Sequence, residues 1–344
     1  MVTHATARED HPAVQKAPFR ARLSRIDVKA SPYLYISPFF IVFAVIGLFP
    51  IIYTAYISTR KWNSIAGDLG VAAAYGQSGE TSWYGNFAWV LANHDFRDAL
   101  FNTFSIFILS SVPQIIAAIV LASILSANLR ARTFWRMGVL LPYVIAPMAA
   151  GIIFRQMFAD ETGVVNIVLQ QIGISPISWH GNTLASHIAI ACIINFRWTG
   201  YNTLVLLAAM QAIPNEVIEA AVVDGAGRAR QLLSVVLPMI RPTLMFVIIT
   251  STIAGLQVFD EPQLFSISQS FGGSDNQFLT VTQFLWKTGF TSTSDSNMSR
   301  AAAVAWILFI IVVVFAILSY VLTSRIASTG GPDKPKRGRK GASR

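Results

Sequence analysis

The chain has 344 residues, of which 53% are hydrophobic and only 12% are charged, and its mean hydropathy is +0.53. Soluble globular proteins carry about 25% charged residues, so this composition excludes an ordinary soluble protein and indicates one that crosses a membrane several times. The net charge of +9 does not indicate a nucleic-acid partner, because Lys and Arg crowd the two tails of the chain. The single cysteine, Cys192, excludes an internal disulfide.

Six apolar stretches, each long enough to span a hydrocarbon core, predict an all-α polytopic membrane protein with six transmembrane helices. They cover residues 36–58, 99–126, 136–158, 186–211, 242–266 and 301–323. Residues 1–35 and 324–344 are basic tails that we expect to be disordered, and residues 59–98 are predicted as an extracytoplasmic loop. Because neighbouring helices can satisfy the carbonyls that a proline leaves free, kinks and not breaks are expected at Pro50, Pro113, Pro142 and Pro147.

The basic residues predict the orientation of these spans. With both tails inside, 19 of the 26 Lys and Arg residues lie on the inner side, where membrane proteins concentrate positive charge. We therefore expect both termini in the cytoplasm. The same orientation puts residues 212–241 in the cytoplasm.

The segment between the fourth and fifth predicted spans is polar and includes EAAVVDGAGRARQLLSVVLP (219–238). A Pro-Asn pair at 214–215 is a helix-start signal, which predicts a short helix over residues 215–224. Gly225 and Gly227 permit left-handed backbone angles and hence a sharp turn, and a second helix is expected from Arg228 until Pro238. The residues alone leave two interpretations open, a docking surface for another protein and an ordinary solvated loop.

This segment resembles the EAA loop of binding-protein-dependent ABC importers. Matches in register are Glu219, Ala220, Ala221 and Gly225, with Val235 in the place usually given to isoleucine and Leu237–Pro238 at the end. Further stretches resemble the carbohydrate-uptake branch, for maltose-type and glycerol-phosphate-type substrates: LLPYVIAPMAAGIIFRQMF (140–158), TGVVNIVLQQIG (162–173), WTGYNTLVLLAAMQAIPNEVIEAAVVDGA (198–226) and IAGLQVFDEPQLFS (253–266). One departure is Gly272–Gly273–Ser274, where relatives usually show Gly-Gly-Pro, so we expect the outer gate region to be shaped differently.

The resemblance implies a type I ABC importer transmembrane domain in a bacterial or archaeal plasma membrane, with residues 99–323 as the core permease domain. Residues 212–241 would hold a coupling helix that moves with a separate ATPase. Glu219 would contact the ATPase, Ala220 and Ala221 would allow close seating, Gly225 would permit the turn, and Asp224 is grouped with these coupling residues. The implied partners are a second homologous permease subunit, two ATPase subunits, an extracytoplasmic solute-binding protein and a sugar. ATP and Mg would be bound by the partner ATPase, so no cofactor is expected in this chain.

Polar residues inside the fourth and fifth spans are candidates for a substrate pathway, since charged groups within a membrane tend to face partners or water. The candidates are Arg197, Tyr201, Asn202, Gln257, Asp260 and Glu261. Amides and aromatic rings suit a sugar, whose hydroxyls need planar donors and acceptors and whose C–H faces pack on rings. Two roles stay open for Arg197, a structural ion pair with Asp260 and a direct contact with substrate.

Catalytic chemistry is not indicated by the sequence. It has no G-x-x-x-x-G-K-[ST] phosphate loop, its five histidines lack metal-ligand spacing, and no Ser/His/Asp set stands out, so we expect no catalytic or metal site. A permease subunit without enzyme activity is therefore predicted. The main alternative is a secondary carrier driven by an ion gradient without an ATPase, and a membrane-embedded enzyme is the other rival.

Overall fold

The computed structural model describes residues 19–63, 65–76, 79–127, 130–266, 271–291 and 297–328, with the backbone alone described at 19–30 and 322–328. The chain divides into two compact units, residues 1–56 and residues 57–344. The predicted disorder of the tails lies outside the described residues at 1–18 and 329–344. It is wrong for residues 19–35, where Arg, Leu and Ala favour helix, and for residues 324–328, which continue the last helix.

The described residues of the first unit form one continuous helix. It consists of α1 (Phe19–Val42), a π-helical segment (Phe43–Leu48) and α2 (Phe49–Ser58), whose last two residues belong to the second unit. An 18-residue window within Ser31–Ser58 has a mean hydropathy of 2.3 and no buried residue, and its large apolar side chains are exposed, as suits contact with lipid. Pro50 lacks the N–H that Ile46 would accept in an α-helix. The wider π turn contains Ile46, so the helix passes the proline without a break.

The second unit begins with a folded loop that the all-α prediction did not include. An antiparallel hairpin pairs β1 (Arg60–Asn63) with β2 (Gly67–Val71), and α3 (Gly85–Ala92) follows. Asn63 Oδ1 accepts bonds from the backbone N–H groups of Ile65 and Ala66, a local turn that aligns the two strands. The hairpin is fixed to the helices because the N–H of Trp62 donates to Ser299 Oγ at 2.6 Å.

The remaining helices of the second unit form a bundle. In chain order they are α4 (His94–Ser126), α5 (Arg132–Val144), α6 (Pro147–Met157), α7 (Val164–Gln171), α8 (Thr183–Gln211), α9 (Asn215–Val223), α10 (Arg228–Gln231), α11 (Leu237–Met239), α12 (Arg241–Leu256), α13 (Asp260–Phe265), α14 (Val281–Trp286) and α15 (Asn297–Ser328). Two further π-helical segments are Leu232–Val236 and Lys287–Thr291. The long helix α4 starts at His94, five residues before its predicted start, because Asn93 caps it by accepting from the N–H of Phe96.

Two predicted spans are interrupted. The expectation that Pro147 kinks its helix is wrong, since α5 and α6 are separated by an extended pair of residues and meet at 87°. A proline disfavours helical angles in the residue before it, and Ala146 is extended, with ψ 135°. The predicted span 242–266 is also broken, because α12 ends at Leu256 and α13 begins at Asp260.

The number of membrane spans depends on how bent helix pairs are counted. Within the described ranges, three helices are long and apolar enough to cross a membrane by themselves: Ser31–Ser58, His94–Ser126 and Asn297–Val321. Three bent pairs meet the same criterion together, α5 with α6, α8 with α9, and the 228–239 helix with α12, at bends of 87°, 80° and 82°. The number of spans is therefore three, or up to six if each bent pair is one span.

Close backbone packing places α5 against α8. A methyl group added at Gly200 of α8 would lie 2.0 Å from the carbonyl oxygen of Val139 in α5, too close for any larger residue. On another side of α8, α4 runs along its length, and buried small residues such as Ala118 and Ala122 let α4 approach its neighbours. These contacts hold α8 at the centre of the second unit.

Candidate functional site

A cavity of about 270 Å³ opens where α4, α8, α12 and α13 meet. Its lining consists of Ser111, Gln114, Ile194, Arg197, Trp198, Tyr201, Asn202, Thr250, Ser251, Ala254, Gly255, Gln257, Val258, Phe259, Asp260 and Glu261. All six residues that the sequence suggested for a substrate pathway are in this set. The structure therefore brings together residues that are up to 64 positions apart in the chain.

The charged wall of the cavity is an ion pair between α8 and α13. Arg197 Nη1 donates to Glu261 Oε1 at 2.7 Å, and each side chain is only 9% exposed. The prediction that Arg197 pairs with Asp260 is wrong. That prediction assumed a continuous fifth helix, whereas the break before α13 turns Glu261 inward and leaves Asp260 exposed at the cavity.

The Arg197 guanidinium is only partly satisfied. Its buried Nε has no hydrogen-bond acceptor among the residues that the structure describes. A buried donor without a partner costs about 1–3 kcal/mol, and the bond to Glu261 is the one side-chain hydrogen bond that Arg197 makes within the described residues. This arrangement matches the structural role left open by the sequence and does not test the other, direct contact with substrate.

A polar network crosses the cavity floor and was only partly visible in the sequence. Asn202 Nδ2 on α8 donates at 3.1 Å to Gln114 Oε1 on α4 and lies at the same distance from Ser251 Oγ on α12. Sequence reasoning found Asn202 but missed Gln114 and Ser251. Their signal was present as polar residues within otherwise apolar spans, SSVPQ at 110–114 and TST at 250–252.

Aromatic rings form one side of the site. The rings of Tyr143 on α5 and Tyr201 on α8 are stacked with their centroids 5.2 Å apart. Trp198 meets Tyr143 edge-on at 5.5 Å. Of these three rings, those of Trp198 and Tyr201 line the cavity. Stacked and edge-on contacts between aromatic rings are stabilising. These rings therefore form a rigid apolar surface for a small polar ligand.

The short helix α13 is held from several sides. Hydroxyl groups of Thr280 and Thr282 both donate to the carbonyl of Val258, just before α13. At its other end, His180 Nε2 lies 3.3 Å from the carbonyl oxygen of Phe265, and the two rings stack at 4.3 Å. His180 Nδ1 lies 3.3 Å from Asp160 Oδ1. We call the His180 contacts with Asp160 and Phe265 the histidine clamp.

The glycine pair beyond α13 forms a tight turn without proline. Gly272 and Gly273 have φ of +79° and +86°, angles that favour glycine. A methyl group at Gly272 would lie 2.5 Å from Leu279 Cβ, and Ser274 Oγ lies 3.1 Å from Gln277 Nε2. The turn is thus fixed by glycine conformation and by a side-chain contact of Ser274.

The polar segment folds into the helical hairpin that the sequence predicts. It consists of α9, a turn and α10, and we call residues 215–231 the hairpin. Gly225 has φ +73°, and the turn closes with the N–H of Gly225 on the carbonyl of Val222 and the N–H of Ala226 on that of Ala221, a Schellman motif. Gly227 does not adopt the left-handed angle expected of it, since its φ is −65°; one such residue already completes the turn.

The hairpin presents a surface of mixed chemistry. Exposed residues on α9 and its turn are Asn215, Glu216, Glu219, Ala220, Val222, Val223, Asp224 and Gly225, and Val223 is 87% exposed. Ala221, expected to help seat a partner, is instead buried within this chain at 9% exposure. The adjacent Ala220 remains exposed.

Comparison with known proteins identifies the family of this chain. Residues 86–328 match the family described as binding-protein-dependent transport system inner membrane component. The arabinooligosaccharides transport system permease protein AraP of Bacillus subtilis (strain 168) is 30% identical over 306 residues, 88% of this chain and 91% of that protein. The lactose transport system permease protein LacF of Rhizobium radiobacter is 31% identical over 291 residues, 84% of this chain and 92% of its own length.

A solved structure shows the same fold. A chain of the bacterial alginate ABC transporter, in complex with an alginate pentasaccharide-bound periplasmic protein, superposes with a TM-score of 0.70 at 18% identity. The alignment covers 90% of this chain and all of that chain. Both the cavity residues and the hairpin lie inside the matched region 86–328.

Proposed function

Since the chain belongs to the family of binding-protein-dependent transport system inner membrane components, we propose that it is the permease subunit of an ATP-driven sugar importer. The observation that carries this proposal is the family match over residues 86–328, which contains both the cavity and the exposed hairpin. Relatives similar along most of their length are named for the transport of arabinooligosaccharides and of lactose. In this proposal the chain forms half of the translocation pathway.

The connection between hairpin and cavity suggests how coupling works. α8 continues into α9 through an 80° bend, and the helix 228–239 continues into α12 through an 82° bend. α8 and α12 are also two of the helices that line the cavity. A partner that displaces the hairpin would therefore move two walls of the cavity, because helices transmit displacement as rigid elements.

The proposed partners follow from the same assignment. A second, homologous permease would complete the pathway, and two ATPase subunits would bind ATP and Mg and receive the hairpin on the cytoplasmic side. A solute-binding protein would deliver sugar from outside, as the periplasmic protein accompanies the alginate transporter. The six spans would be Ser31–Ser58, α4, α5 with α6, α8, α12 and α15, with both termini in the cytoplasm of a bacterial or archaeal cell and with α9 and the 228–239 helix outside the membrane. ATP binding and the outward-facing cavity would then favour each other reciprocally.

Residues of the hairpin have distinct roles in this proposal. Glu219, which is exposed, contacts the ATPase, and Ala220 beside it allows close approach. Gly225 sets the turn, and Asp224 precedes it at the end of α9. Ala221 is buried within this chain, so Ala220 is the alanine available to a partner.

Co-purification with the ATPase tests the docking role. We expect Glu219→Lys combined with Gly225→Pro to abolish it, because the first reverses a contact charge and proline cannot adopt φ +73°. A matched control is Glu161→Lys with Gly173→Pro, since Gly173 ends α7 in the same way, with φ +81°, and Glu161 is exposed. Equal recovery of the ATPase with both variants would show that the hairpin is not the docking element.

Transport without an ATPase is the alternative to be excluded. Vesicles that contain this chain alone and carry an ion gradient should take up no sugar if the importer assignment is right. Gradient-driven uptake in such vesicles would establish a secondary carrier and overturn the assignment.

A further inference from the structure

The charges that line the cavity do not cancel. Three of its described lining residues are charged, Arg197, Asp260 and Glu261. Arg197 and Glu261 pair at 2.7 Å with both side chains almost fully buried, so the pair offers a ligand no net charge.

Asp260 is the remaining charge. It is exposed at the cavity, and no ion pair or hydrogen bond of its side chain is found within the described part of the chain. The contribution of this chain to the cavity is therefore one uncompensated negative charge, set among amides, hydroxyls and aromatic rings.

Resting on the function proposed above, we propose that this cavity selects an uncharged sugar and repels an anionic one, such as a uronic acid oligosaccharide or a sugar phosphate. A carboxylate or phosphate is recognised by a free guanidinium or ammonium, and the charge of the one guanidinium among the described lining residues is compensated by Glu261. A second negative charge near Asp260 would be repelled more strongly than in water, because the dielectric constant is lower there.

The neutral lining suits the hydroxyl groups of such a sugar. Gln257, Thr250 and Ser251 supply donors and acceptors that carry no charge, and Trp198 and Tyr201 supply apolar ring surfaces. The fold itself does not decide the charge of the substrate, since a chain of the same fold belongs to an alginate transporter and other relatives are named for lactose and arabinooligosaccharides. In this chain, the unpaired charge of the cavity determines which substrate charge is accepted.

Thiol labelling measures this charge without any sugar. Ala254, an exposed lining residue, is replaced by cysteine in full-length protein carrying Cys192→Ser, within the assembled complex. The rates of modification by cationic trimethylammonioethyl methanethiosulfonate and anionic sulfonatoethyl methanethiosulfonate are compared by mass spectrometry of this chain. Relative to free cysteine, we expect a preference for the cation of about tenfold, abolished by Asp260→Asn and retained in Asp98→Asn, which is outside the cavity.

A rate ratio equal to that of free cysteine, or one unaffected by Asp260→Asn, would overturn the inference even if the chain is an importer. Substrate class is tested in the assembled importer by stimulation of ATP hydrolysis with neutral oligosaccharides and with their uronic acid and phosphate counterparts. An acidic sugar as the strongest stimulant would overturn the inference while leaving the importer assignment intact. No stimulation by any sugar would count against the importer assignment, and the labelling result would then decide the cavity charge alone.

Discussion

Arg197 on α8 donates to Glu261 on α13 at 2.7 Å, and this bond joins a helix of 29 residues to one of 6 residues. Replacing either partner alone leaves a buried charge without compensation, which costs about 3–5 kcal/mol. We expect Arg197→Gln and Glu261→Gln each to lower the unfolding temperature of the purified protein strongly, and the double variant to recover part of the loss.

The surface pair Arg60–Asp68, at 3.1 Å, provides the control for that cycle. Its side chains are more exposed, so the same neutral substitutions should change the unfolding free energy by about 0–1 kcal/mol. Additive losses at Arg197 and Glu261, without recovery in the double variant, would contradict a direct pair.

Gly200 determines how closely α5 and α8 approach. We expect Gly200→Ala to destabilise the protein by about 1–3 kcal/mol, because the added methyl group would overlap the Val139 carbonyl. Gly138→Ala, one residue from Val139, meets nothing within 4 Å and should be neutral or slightly stabilising, as alanine favours helix. Thermal unfolding in detergent compares the two, and equal stability would show that the helices separate freely at this point.

The histidine clamp should control the mobility of α13. We expect His180→Ala to accelerate hydrogen exchange in peptides covering residues 260–265, because the substitution removes the contacts to Phe265 and Asp160. His94→Ala is the control, since the His94 side chain is 79% exposed and pairs only locally with Asp98. Unchanged exchange at α13 in the His180 variant would show that the threonine contacts at Val258 suffice to hold it.

Tyr201 should contribute to sugar affinity through its ring. In the assembled importer we expect Tyr201→Ala to lower kcat/KM for uptake by roughly two- to tenfold, while Tyr201→Phe retains most activity. Tyr320→Ala, at an exposed position of α15 outside the cavity lining, should have no effect. Equal loss in the Phe and Ala variants would assign the contribution to the hydroxyl group instead of the ring.

The sequence was sufficient for features that depend on neighbouring residues. The hairpin starts at Asn215, turns at Gly225 and resumes at Arg228, as the sequence predicts. Caps and turns are determined by local chemistry, in which a proline, an asparagine or a glycine has a limited set of conformations. The family resemblance is confirmed by the match over residues 86–328.

Features that depend on distant residues could not be derived in this way. Pro142 and Pro147 carry the same local restriction, yet α5 continues through Pro142 and the chain breaks before Pro147. The outcome depends on packing around each proline. One such contact is that of α6 with α13, where a methyl group at Gly151 would lie 2.3 Å from Leu264 Cβ. The wrong partner for Arg197 has the same origin, because only the break before α13 shows which acid turns inward.

The π-helical segment Leu232–Val236 has a consequence for insertions and deletions. It precedes Pro238, and its wider turn holds one residue more than an α-helical turn would. Loss of one residue within this segment would restore ordinary α-helical spacing and leave α12 in register with its neighbours. The same loss inside α12 would rotate every later side chain by about 100° and carry Gln257 away from the cavity. A one-residue deletion within 232–236 should therefore leave the cavity intact, whereas the same deletion inside α12 should disrupt it.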